Sequence, residues 1–576
     1  MCASLPDKSK PPRRSRRRAC DSCFRKKIQC DAEFPQCNWC KHHSLACTYN
    51  RILGCTVTGK PATLPEPSGE SRGVQSTLQS QARPGNIILN NVAYFGGHYV
   101  FSEQGQRWIE AQVGERNAFD RLLSLEPHWP QLLGSSAPLP ELPNRSNVER
   151  LIAAYTSSFE SLVFPVVSRS IFKDTLDLAY NPSQPVGYAS AKSCVYSFLS
   201  LASLFGFECT ELGTMDYRSY ATAAQSFLTA VIQQMTLDGL QSLIMLVQLQ
   251  YFVGDLHSAA TTLSIATRFL YALGAHVPPP TKSPLVYDKC DRQCHLRDLF
   301  WLCYSFDKDI CLRTGQPPCI NDTDCDLTLP PEYLRLRDSN MQPNKPQRDT
   351  HTTPLFPWDL CLSMLKSQVH QDLYTTHSLQ KSAPELLSSI RNLDEKLEQW
   401  RVSLPAAFRP TLYFFPATPV SADVNTITVM LRLAYYHCVT VIHQASSRCD
   451  PMGPRLAGIA SSTRVSIAAS RSTLWYLERV LPVVHGECFR IVLFYAITAV
   501  LTLFCTIISG LHDPDTEDNI NLLRNVPSLI RSIPVRNRTL GEVIHLQYLD
   551  GLTTELGSIC MRAISRSQGN APATDV

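Results

Sequence analysis

Apolar residues recur at intervals of three and four through most of the chain, beginning near Asn147. This spacing places them on one face of an α-helix. Three such faces are formed by Ala259, Leu263, Ala266, Leu270 and Leu273, by Leu386, Ile390, Leu393, Leu397 and Trp400, and by Val429, Leu433, Tyr436, Thr440 and His443. Gly274 and Pro405 are expected to end the first two helices. The pattern predicts a mostly α-helical protein with a large all-helical regulatory domain over residues 94–565.

Other segments lack this periodicity. Residues 50–93 contain no aromatic side chain and are interrupted by proline and glycine, so we expect a flexible linker over 48–93. The aromatic residues on either side of Gly96-Gly97 predict a short β-hairpin. Six prolines between Pro330 and Pro357 predict a long surface loop. Residues 1–19 are predicted to form a basic disordered arm, and residues 566–576 a disordered tail.

One uncharged run has the length of a membrane-spanning helix. It extends for 21 residues, from Ile491 to Leu511. The run is the only one of its kind, lies late in the helical pattern, and carries Thr498, Thr502 and Thr506. We therefore interpret it as a buried central helix and expect no membrane association. A membrane-tethered protein is kept as the alternative.

Charge is distributed unevenly along the 576 residues. The formal net charge is only +4, yet residues 8–51 hold twelve Lys and Arg against three Asp and Glu. The rest of the chain holds 42 basic and 47 acidic residues. A small basic head on a mildly acidic body indicates an anionic partner, nucleic acid or a membrane surface. The 44% of hydrophobic residues supplies a large core, which excludes a mostly disordered or fibrous protein.

Six of the 22 cysteines fall within residues 20–47. Because the first residues have no apolar segment of the secretory type, we expect an intracellular protein, in which clustered cysteines are metal ligands more often than disulfides. The cluster reads Cys20-x2-Cys23-x6-Cys30-x6-Cys37-x2-Cys40-x6-Cys47. Tetrahedral zinc requires four ligands, so six thiolates serve two ions only if two of the sulfurs bridge. The spacing predicts a binuclear zinc site; a zinc ribbon or a cysteine-rich metal store is the alternative.

The residues between the cysteines carry a family resemblance. They are Ala19-Cys20-Asp21, Lys26-Lys27-Ile28, Cys30-Asp31 and Pro35. With them the segment resembles the fungal zinc binuclear cluster (Zn2Cys6) transcription factors. The resemblance implies two zinc ions per chain in a DNA-binding domain over residues 20–47. It also implies that Cys20 and Cys37 bridge the two ions. One zinc would be held by Cys20, Cys23, Cys30 and Cys37, and the other by Cys20, Cys37, Cys40 and Cys47.

The helical region shows a second resemblance, to the fungal-specific transcription factor domain, also called the middle homology region. The similar motifs are Leu299-Phe300-Trp301-x2-Tyr304, Gly315-Gln316-Pro317-Pro318, Ile320-Asn321-Asp322-Thr323-Asp324 and Leu397-x2-Trp400-x3-Leu404-Pro405. Together with the cysteine cluster they cover most of the chain. The resemblance implies an all-helical body that also contains the uncharged run.

A basic pair in the first short helix, expected from about Asp21 to Ile28, is the candidate for base recognition. In the family, lysines at the positions of Lys26 and Lys27 reach base edges in the major groove, typically of a CGG triplet. Lysine carries only hydrogen-bond donors, and guanine offers the acceptors O6 and N7. Arg25, Lys41 and Arg51 are expected to contact phosphates, which position a protein without specifying sequence.

Two positions depart from the family pattern, because Phe24 and Gln29 stand where many members have Arg and Lys. The basic run Arg13 to Arg18 is interpreted as a nuclear import signal and a phosphate-binding arm, and we expect it to compensate for the missing charges. Residues 48–90 contain no apolar heptads, so no coiled coil follows the cluster. A homodimer would then form through the helical body; otherwise the protein binds a half-site as a monomer.

The resemblance implies a nuclear, zinc-dependent transcription factor that acts at RNA polymerase II promoters through CGG-like sites. Its expected partners are double-stranded DNA and the transcription machinery, and its expected targets are secondary-metabolite cluster or catabolic genes. The sequence contains no P-loop, no GxGxxG after a strand, no HExxH and no GxSxG. We therefore expect no enzymatic activity. An enzyme with an accessory zinc domain is kept as a second alternative.

Overall fold

The computed structural model describes residues 20–26, 30, 37, 40–41, 94–95, 98–99, 103–116, 118, 120–124, 139–207, 216–278, 287–341, 354–420, 426–449, 456–481, 489–532 and 540–569. The chain divides into two compact units, Met1–Gly73 and Val74–Val576. The predicted arm and linker lie outside the described residues. In the first unit the described helix is α1, Asp21–Arg25. Residues 27–29 of the longer predicted helix also lie outside them.

The second unit begins with a short antiparallel pair of strands, β1 (Tyr94–Phe95) and β2 (His98–Tyr99). Tyr94 lies opposite Tyr99 and Phe95 opposite His98, at the position where Gly96-Gly97 predicts a hairpin. The described helices that follow, up to residue 272, are α2 (Glu103–Val113), α3 (Asp120–Ser124), α4 (Arg145–Ser157), α5 (Glu160–Val163), α6 (Arg169–Ala179), α7 (Tyr188–Leu204), α8 (Tyr217–Ser226), α9 (Leu228–Gln234), α10 (Leu237–Phe252) and α11 (Leu256–Ala272).

The second half of the unit is also helical. Its described helices are α12 (Tyr287–Thr314), α13 (Tyr333–Asn340), α14 (Leu360–Leu373), α15 (Ala383–Ser403), α16 (Thr426–Gln444), α17 (Leu456–Val480), α18 (Phe489–Ser509), α19 (Thr516–Arg531) and α20 (Leu540–Gly569). Short 3₁₀ turns lie at Asp322–Asp324, Ser378–Gln380, Ala406–Phe408 and Ala445–Arg448. The mostly α-helical fold class is confirmed.

Helix packing follows the predicted apolar faces. Every residue of the three faces is buried except Leu273, which is half-buried at the end of α11. Gly274 has φ +74°, the left-handed conformation in which glycine ends helices without strain. Helix α7 packs against α6, α8 and α10, and α17 packs against α16 and α18. Helix α12 contacts both α11 and α14, and so connects the two halves of the body.

The loop predicted between Pro330 and Pro357 contains a helix, α13, and on this point the prediction was wrong. The reason is that residues 332–341 contain no proline. Tyr333 and Arg337 are one turn apart on this helix and reach the buried carboxylate of Asp359. Residues 342–353 lie outside the described residues.

The uncharged run forms α18, and its described side chains from Tyr495 to Ile508 are buried apart from Thr506, which is half-buried. Within the described part of the chain, no helix is both long and apolar enough to span a membrane. Helix α20 continues to Gly569, four residues into the predicted tail. Its Arg566 donates hydrogen bonds to the carbonyls of Ala111 and Gln112 at the end of α2, which holds this last turn in place.

Candidate metal centre and DNA-binding surface

The first pair of cysteines is placed by helix α1. Cys20 immediately precedes the helix and Cys23 lies in its first turn, so both thiols lie on the same side of it. The backbone N–H groups of Cys20 and Cys23 lie 3.5 Å from the sulfurs of Cys30 and Cys20, respectively. Cys20, Cys23, Cys37 and Cys40 are fully buried, and Cys30 is half-buried.

The thiol sulfurs are spaced as zinc ligands. The Sγ–Sγ distance is 3.8 Å between Cys20 and Cys37, and 3.6 Å for both Cys20–Cys40 and Cys23–Cys37. A tetrahedron with Zn–S bonds of about 2.3 Å has edges of about 3.8 Å. The ligand atoms of Cys20, Cys23, Cys30 and Cys37 all lie within 4.8 Å of one another. The donor set therefore fits zinc in both chemistry and size.

Five described sulfurs exceed the four that one tetrahedral zinc uses. Cys20 belongs to the group of four and also lies 3.6 Å from Cys40, outside that group. This position is the one that a bridging thiolate requires. Burial, followed by the neighbouring thiols, raises the pKa of Cys40 to about 12, so zinc must displace protons when it binds. Cys47, the sixth cysteine, lies outside the described residues.

The basic side chains at the end of α1 are exposed. Arg25 and Lys26 are exposed at the C-terminal end of the helix. Cys23, on the same helix, is buried. The Arg25 Nε donates to the carbonyl of Asp21 at 3.4 Å. Lys41 is also exposed and directly follows buried Cys40. The structure thus separates the cations from the sulfurs at these positions. Lys27 and Arg51, the other two predicted DNA contacts, lie outside the described residues.

Comparison with known families matches two segments of the chain. Residues 18–54 match the fungal Zn(2)-Cys(6) binuclear cluster domain, and residues 153–402 match the fungal-specific transcription factor domain. The chain belongs to the fungal Zn2Cys6 transcription factors. It is therefore a DNA-binding transcription factor whose cluster domain binds two zinc ions. Both resemblances seen in the sequence are confirmed.

Similar proteins carry names of the same kind. An "ABC-transporter-regulating transcription factor" of Aspergillus fumigatus is 21% identical, with 92% of this chain and 71% of the relative covered. A protein of the same name from Aspergillus oryzae is 22% identical over the same shares. The fusaridione A cluster transcription factor of Fusarium heterosporum is 26% identical over 54% of this chain and 55% of its own length.

Two of the similar motifs in the body, those at residues 315–318 and 320–324, lie in the loop after α12, and this helix anchors that loop through Asp307 and Lys308. The buried carboxylate of Asp307 accepts hydrogen bonds from the backbone N–H groups of Cys319 at 2.7 Å and Ile320 at 3.1 Å. Lys308 donates to the carbonyl of Ile320 and pairs with Asp322 at 3.2 Å. The segment after Gly315 is thus bound to the helix that precedes it.

A second buried network, which the sequence analysis did not predict, lies one residue further along α12. Asp309 binds three groups from three helices. The Lys366 Nζ of α14 lies 2.6 Å from its Oδ1, the Tyr251 hydroxyl of α10 donates to its Oδ2 at 2.5 Å, and Arg313 pairs with it from the next turn of α12. Burial alone would raise the pKa of Asp309, but Arg313 and Lys366 lower it to about 2.

A third network explains the tryptophan of the Leu397-x2-Trp400 motif. The Trp400 Nε1 donates to the Oδ1 of Asp359 at 2.8 Å. The same oxygen accepts from the backbone N–H of Leu362 and so caps the N-terminus of α14. The other oxygen accepts from Arg337 at 3.0 Å and faces the Tyr333 hydroxyl at 3.4 Å. One carboxylate therefore joins α13, α14 and α15.

Proposed function

We propose that the zinc unit reads CGG-like triplets in double-stranded DNA. Lys26 and Lys27 would contact base edges, and Arg25, Lys41 and Arg51 would contact phosphates. The observation that carries the proposal is the exposure of Arg25 and Lys26 at the end of the helix whose other side supplies zinc ligands. A short helix that is held by metal can enter the major groove with its basic side chains facing the DNA.

The zinc assignment within this unit is part of the same proposal. Cys20 and Cys37 would bridge, Cys23 and Cys30 would complete one ion, and Cys40 and Cys47 the other. The short distances from Cys20 to both Cys37 and Cys40 support this division. The metal supplies about 10–16 kcal/mol in comparable small domains, enough to order a unit without a large core.

We further propose that the protein works in the nucleus as a pathway-specific regulator at RNA polymerase II promoters, by binding rather than by catalysis. The names of the relatives support a dedicated gene set: two regulate ABC transporters and one belongs to the fusaridione A cluster. The segment from Arg13 to Arg18 would serve in nuclear import and in phosphate binding. Dimerisation and contact with the transcription machinery would involve the helical body.

Base contact and phosphate contact can be separated by experiment. Lys27→Ala should reduce the preference for the intact triplet, because a base contact discriminates by about 1–3 kcal/mol. Arg51→Ala should weaken binding to matched and triplet-mutated duplexes equally and reduce the salt slope by roughly one ion. The measurement is a binding titration against both duplexes at two salt concentrations.

The controls are zinc content and a second phosphate candidate. Both variants should retain two zinc ions per chain, since neither side chain is a ligand. Lys41→Ala, at an exposed position, should behave like Arg51→Ala. If Lys27→Ala weakens both duplexes by the same factor, Lys27 contacts the backbone and the proposed readout is wrong. Retention of the full triplet preference would contradict the proposal equally.

The oligomeric state follows from the same titration. A homodimer formed through the body would protect two triplets and bind a single triplet much more weakly. A monomer would bind one triplet and a pair of triplets with the same affinity per site. Sedimentation of the protein with the single-triplet duplex distinguishes the two arrangements, because a dimer brings two protein chains to that duplex and a monomer brings one.

A further inference from the structure

A proline-rich segment crosses the surface of the body just before α4. We call residues 139–143, Leu139-Pro140-Glu141-Leu142-Pro143, the proline strap. Proline fixes its own φ near −65°, and the residue before a proline is confined to extended conformations. Four of the five strap residues are restricted in this way, all except Glu141. Asn144, the next residue, has φ −51° and ψ 134°. Local chemistry thus directs the strap into a polyproline II helix.

Two tyrosines hold the strap by its backbone. The Tyr196 hydroxyl donates to the carbonyl of Pro140 at 2.8 Å, and the Tyr180 hydroxyl donates to the carbonyl of Pro143 at 2.5 Å. A polyproline II helix has three residues per turn. Because the two carbonyls are three residues apart, they lie on the same face, separated by one turn of about 9 Å. The hydroxyls of Tyr196 and Tyr180 therefore bind two carbonyls that are one turn apart on the strap.

Two further aromatic rings pack on Tyr196, one of the two tyrosines that bind the strap. Tyr196 stacks on Tyr220 with ring centroids 6.4 Å apart and on Phe227 at 6.2 Å. The ammonium of Lys192, one turn before Tyr196 on α7, lies 5.8 Å from the Phe227 ring. We call Tyr180, Tyr196, Tyr220 and Phe227 the tyrosine groove. Tyr196 is buried, and the other three rings are half-buried.

The hydroxyls of the groove remain donors at every physiological pH. Burial raises the pKa of Tyr180 to about 12, and burial followed by Tyr188, Tyr220 and Glu141 does the same for Tyr196. On the strap, Leu142 packs against the core while Glu141 and Leu139 are exposed, Leu139 by 52%. The two backbone carbonyls and the Leu142 side chain therefore attach the strap to the body.

We propose that the tyrosine groove is a binding site for proline-rich protein segments of the Pro-x-x-Pro type, which the strap occupies in the free protein. Aromatic grooves with hydroxyl donors spaced for carbonyls one turn apart are a general solution for binding polyproline II helices. The strap itself shows which ligand fits, a leucine before each of two prolines three residues apart. A partner with this pattern would displace the strap and occupy the groove in its place.

The first experiment uses the intact protein and a labelled peptide, Ala-Pro-Leu-Pro-Glu-Leu-Pro-Asn, which copies residues 137–144. A tethered strap competes at an effective concentration in the millimolar range. Wild type should therefore bind the peptide weakly. A variant carrying Pro140→Gly, Leu142→Ser and Pro143→Gly should bind it at least roughly tenfold more tightly, because its own strap no longer competes. Pro182→Ser in an exposed loop is the matched control and should leave the weak binding unchanged.

Two further comparisons test the chemistry of the groove. Adding Tyr196→Phe to the strap variant should weaken peptide binding by roughly threefold to tenfold, through the loss of one hydrogen bond. A peptide of the same composition with its prolines at other spacings should not bind. Equal binding of the two peptides, or equal affinity of wild type and strap variant, would overturn the proposal.

A second measurement keeps the test decisive if the strap variant fails to fold. The measurement is the rate at which a glutamate-specific protease cleaves wild type after the exposed Glu141. We expect this rate to depend on how often the strap leaves the groove. An excess of the same peptide with Gln in place of its Glu, which the protease cannot cleave, should accelerate this cleavage several-fold by holding the strap off the groove. The scrambled peptide should have no effect. A cleavage rate that stays constant up to millimolar peptide would also refute the proposal.

Discussion

The composition of the Asp309 network predicts that removing its anion destabilises the body more than removing one of its cations. It contains one carboxylate and two cations, Lys366 and Arg313, all with side chains at most 1% exposed. Asp309→Asn keeps the size of the side chain but leaves two buried cations without an anion. Lys366→Met also keeps the size, but leaves a balanced pair between Asp309 and Arg313. Both changes break the same 2.6 Å contact. We expect Asp309→Asn to destabilise the body far more.

The loss of unfolding free energy in Asp309→Asn is limited by the cost of deprotonating Lys366. Removing one partner of a buried pair costs about 3–5 kcal/mol, because the other charge is left uncompensated. The cost has an upper limit, since Lys366 can release its proton. From an ordinary pKa of 10.5, this release costs about 5 kcal/mol at pH 7 and about 2 kcal/mol at pH 9. Lys366→Met should cost only about 0–2 kcal/mol at either pH.

The assay is urea unfolding of the full chain, followed by far-UV circular dichroism at pH 7 and pH 9. Nearly all described helices belong to the body, so the signal reports on it. The difference from wild type at each pH removes the contribution of the other titrating groups. The reasoning is refuted if Lys366→Met loses as much free energy of unfolding as Asp309→Asn. It is also refuted if the loss in Asp309→Asn does not shrink at pH 9.

Three other predictions concern the metal, a buried hydrogen bond and pH. Cys37→Ala should abolish binding of both zinc ions, whereas Cys47→Ala should disturb mainly one, as metal analysis of the purified full chain will show. Trp400→Phe should lower the free energy of unfolding in urea by roughly 1–3 kcal/mol, because a buried carboxylate loses a donor. Burial, followed by nearby cations, lowers the pKa of His370 to about 4 and of His437 to about 3. The unfolded chain therefore binds protons that the folded chain does not, and stability should fall as pH drops below 6.5, by about 2 kcal/mol per histidine at pH 5. Urea unfolding between pH 5 and 8 measures this loss.

The features that the sequence predicted are those that depend on local spacing. The interval between Cys20 and Cys23 is two residues, and a single turn brings their sulfurs to one side whatever the rest of the chain does. The apolar face that begins at Ala259 is equally local, because one helix determines it. Gly274 ends that helix through its own backbone freedom. Such features need no knowledge of tertiary structure.

The features that the sequence did not predict depend on partners far away in the chain. Asp309 is 57 residues from Lys366 and 58 from Tyr251, so nothing near it shows that its carboxylate is buried and paired. The strap bonds span 37 residues for Tyr180 and 56 for Tyr196. Helix α13 was missed because the six prolines of residues 330–357 indicated a loop, although residues 332–341 contain none. The contacts of Tyr333 and Arg337 with the distant Asp359 are also not evident from the local pattern.

A substitution should affect its surroundings differently in the zinc unit and in the helical body. In the proposed zinc unit the cysteines act through the metal, so loss of one bridging ligand should disturb both ions and the residues around them. In the body the buried carboxylates of Asp309 and Asp359 each join three elements, and α14 contributes to both sites. A substitution at one carboxylate should therefore change the packing around the other through α14. Coupling of this kind should make the two substitutions non-additive. A change at Tyr180, whose hydroxyl bonds to the carbonyl of Pro143 and to neither carboxylate, should add independently to either.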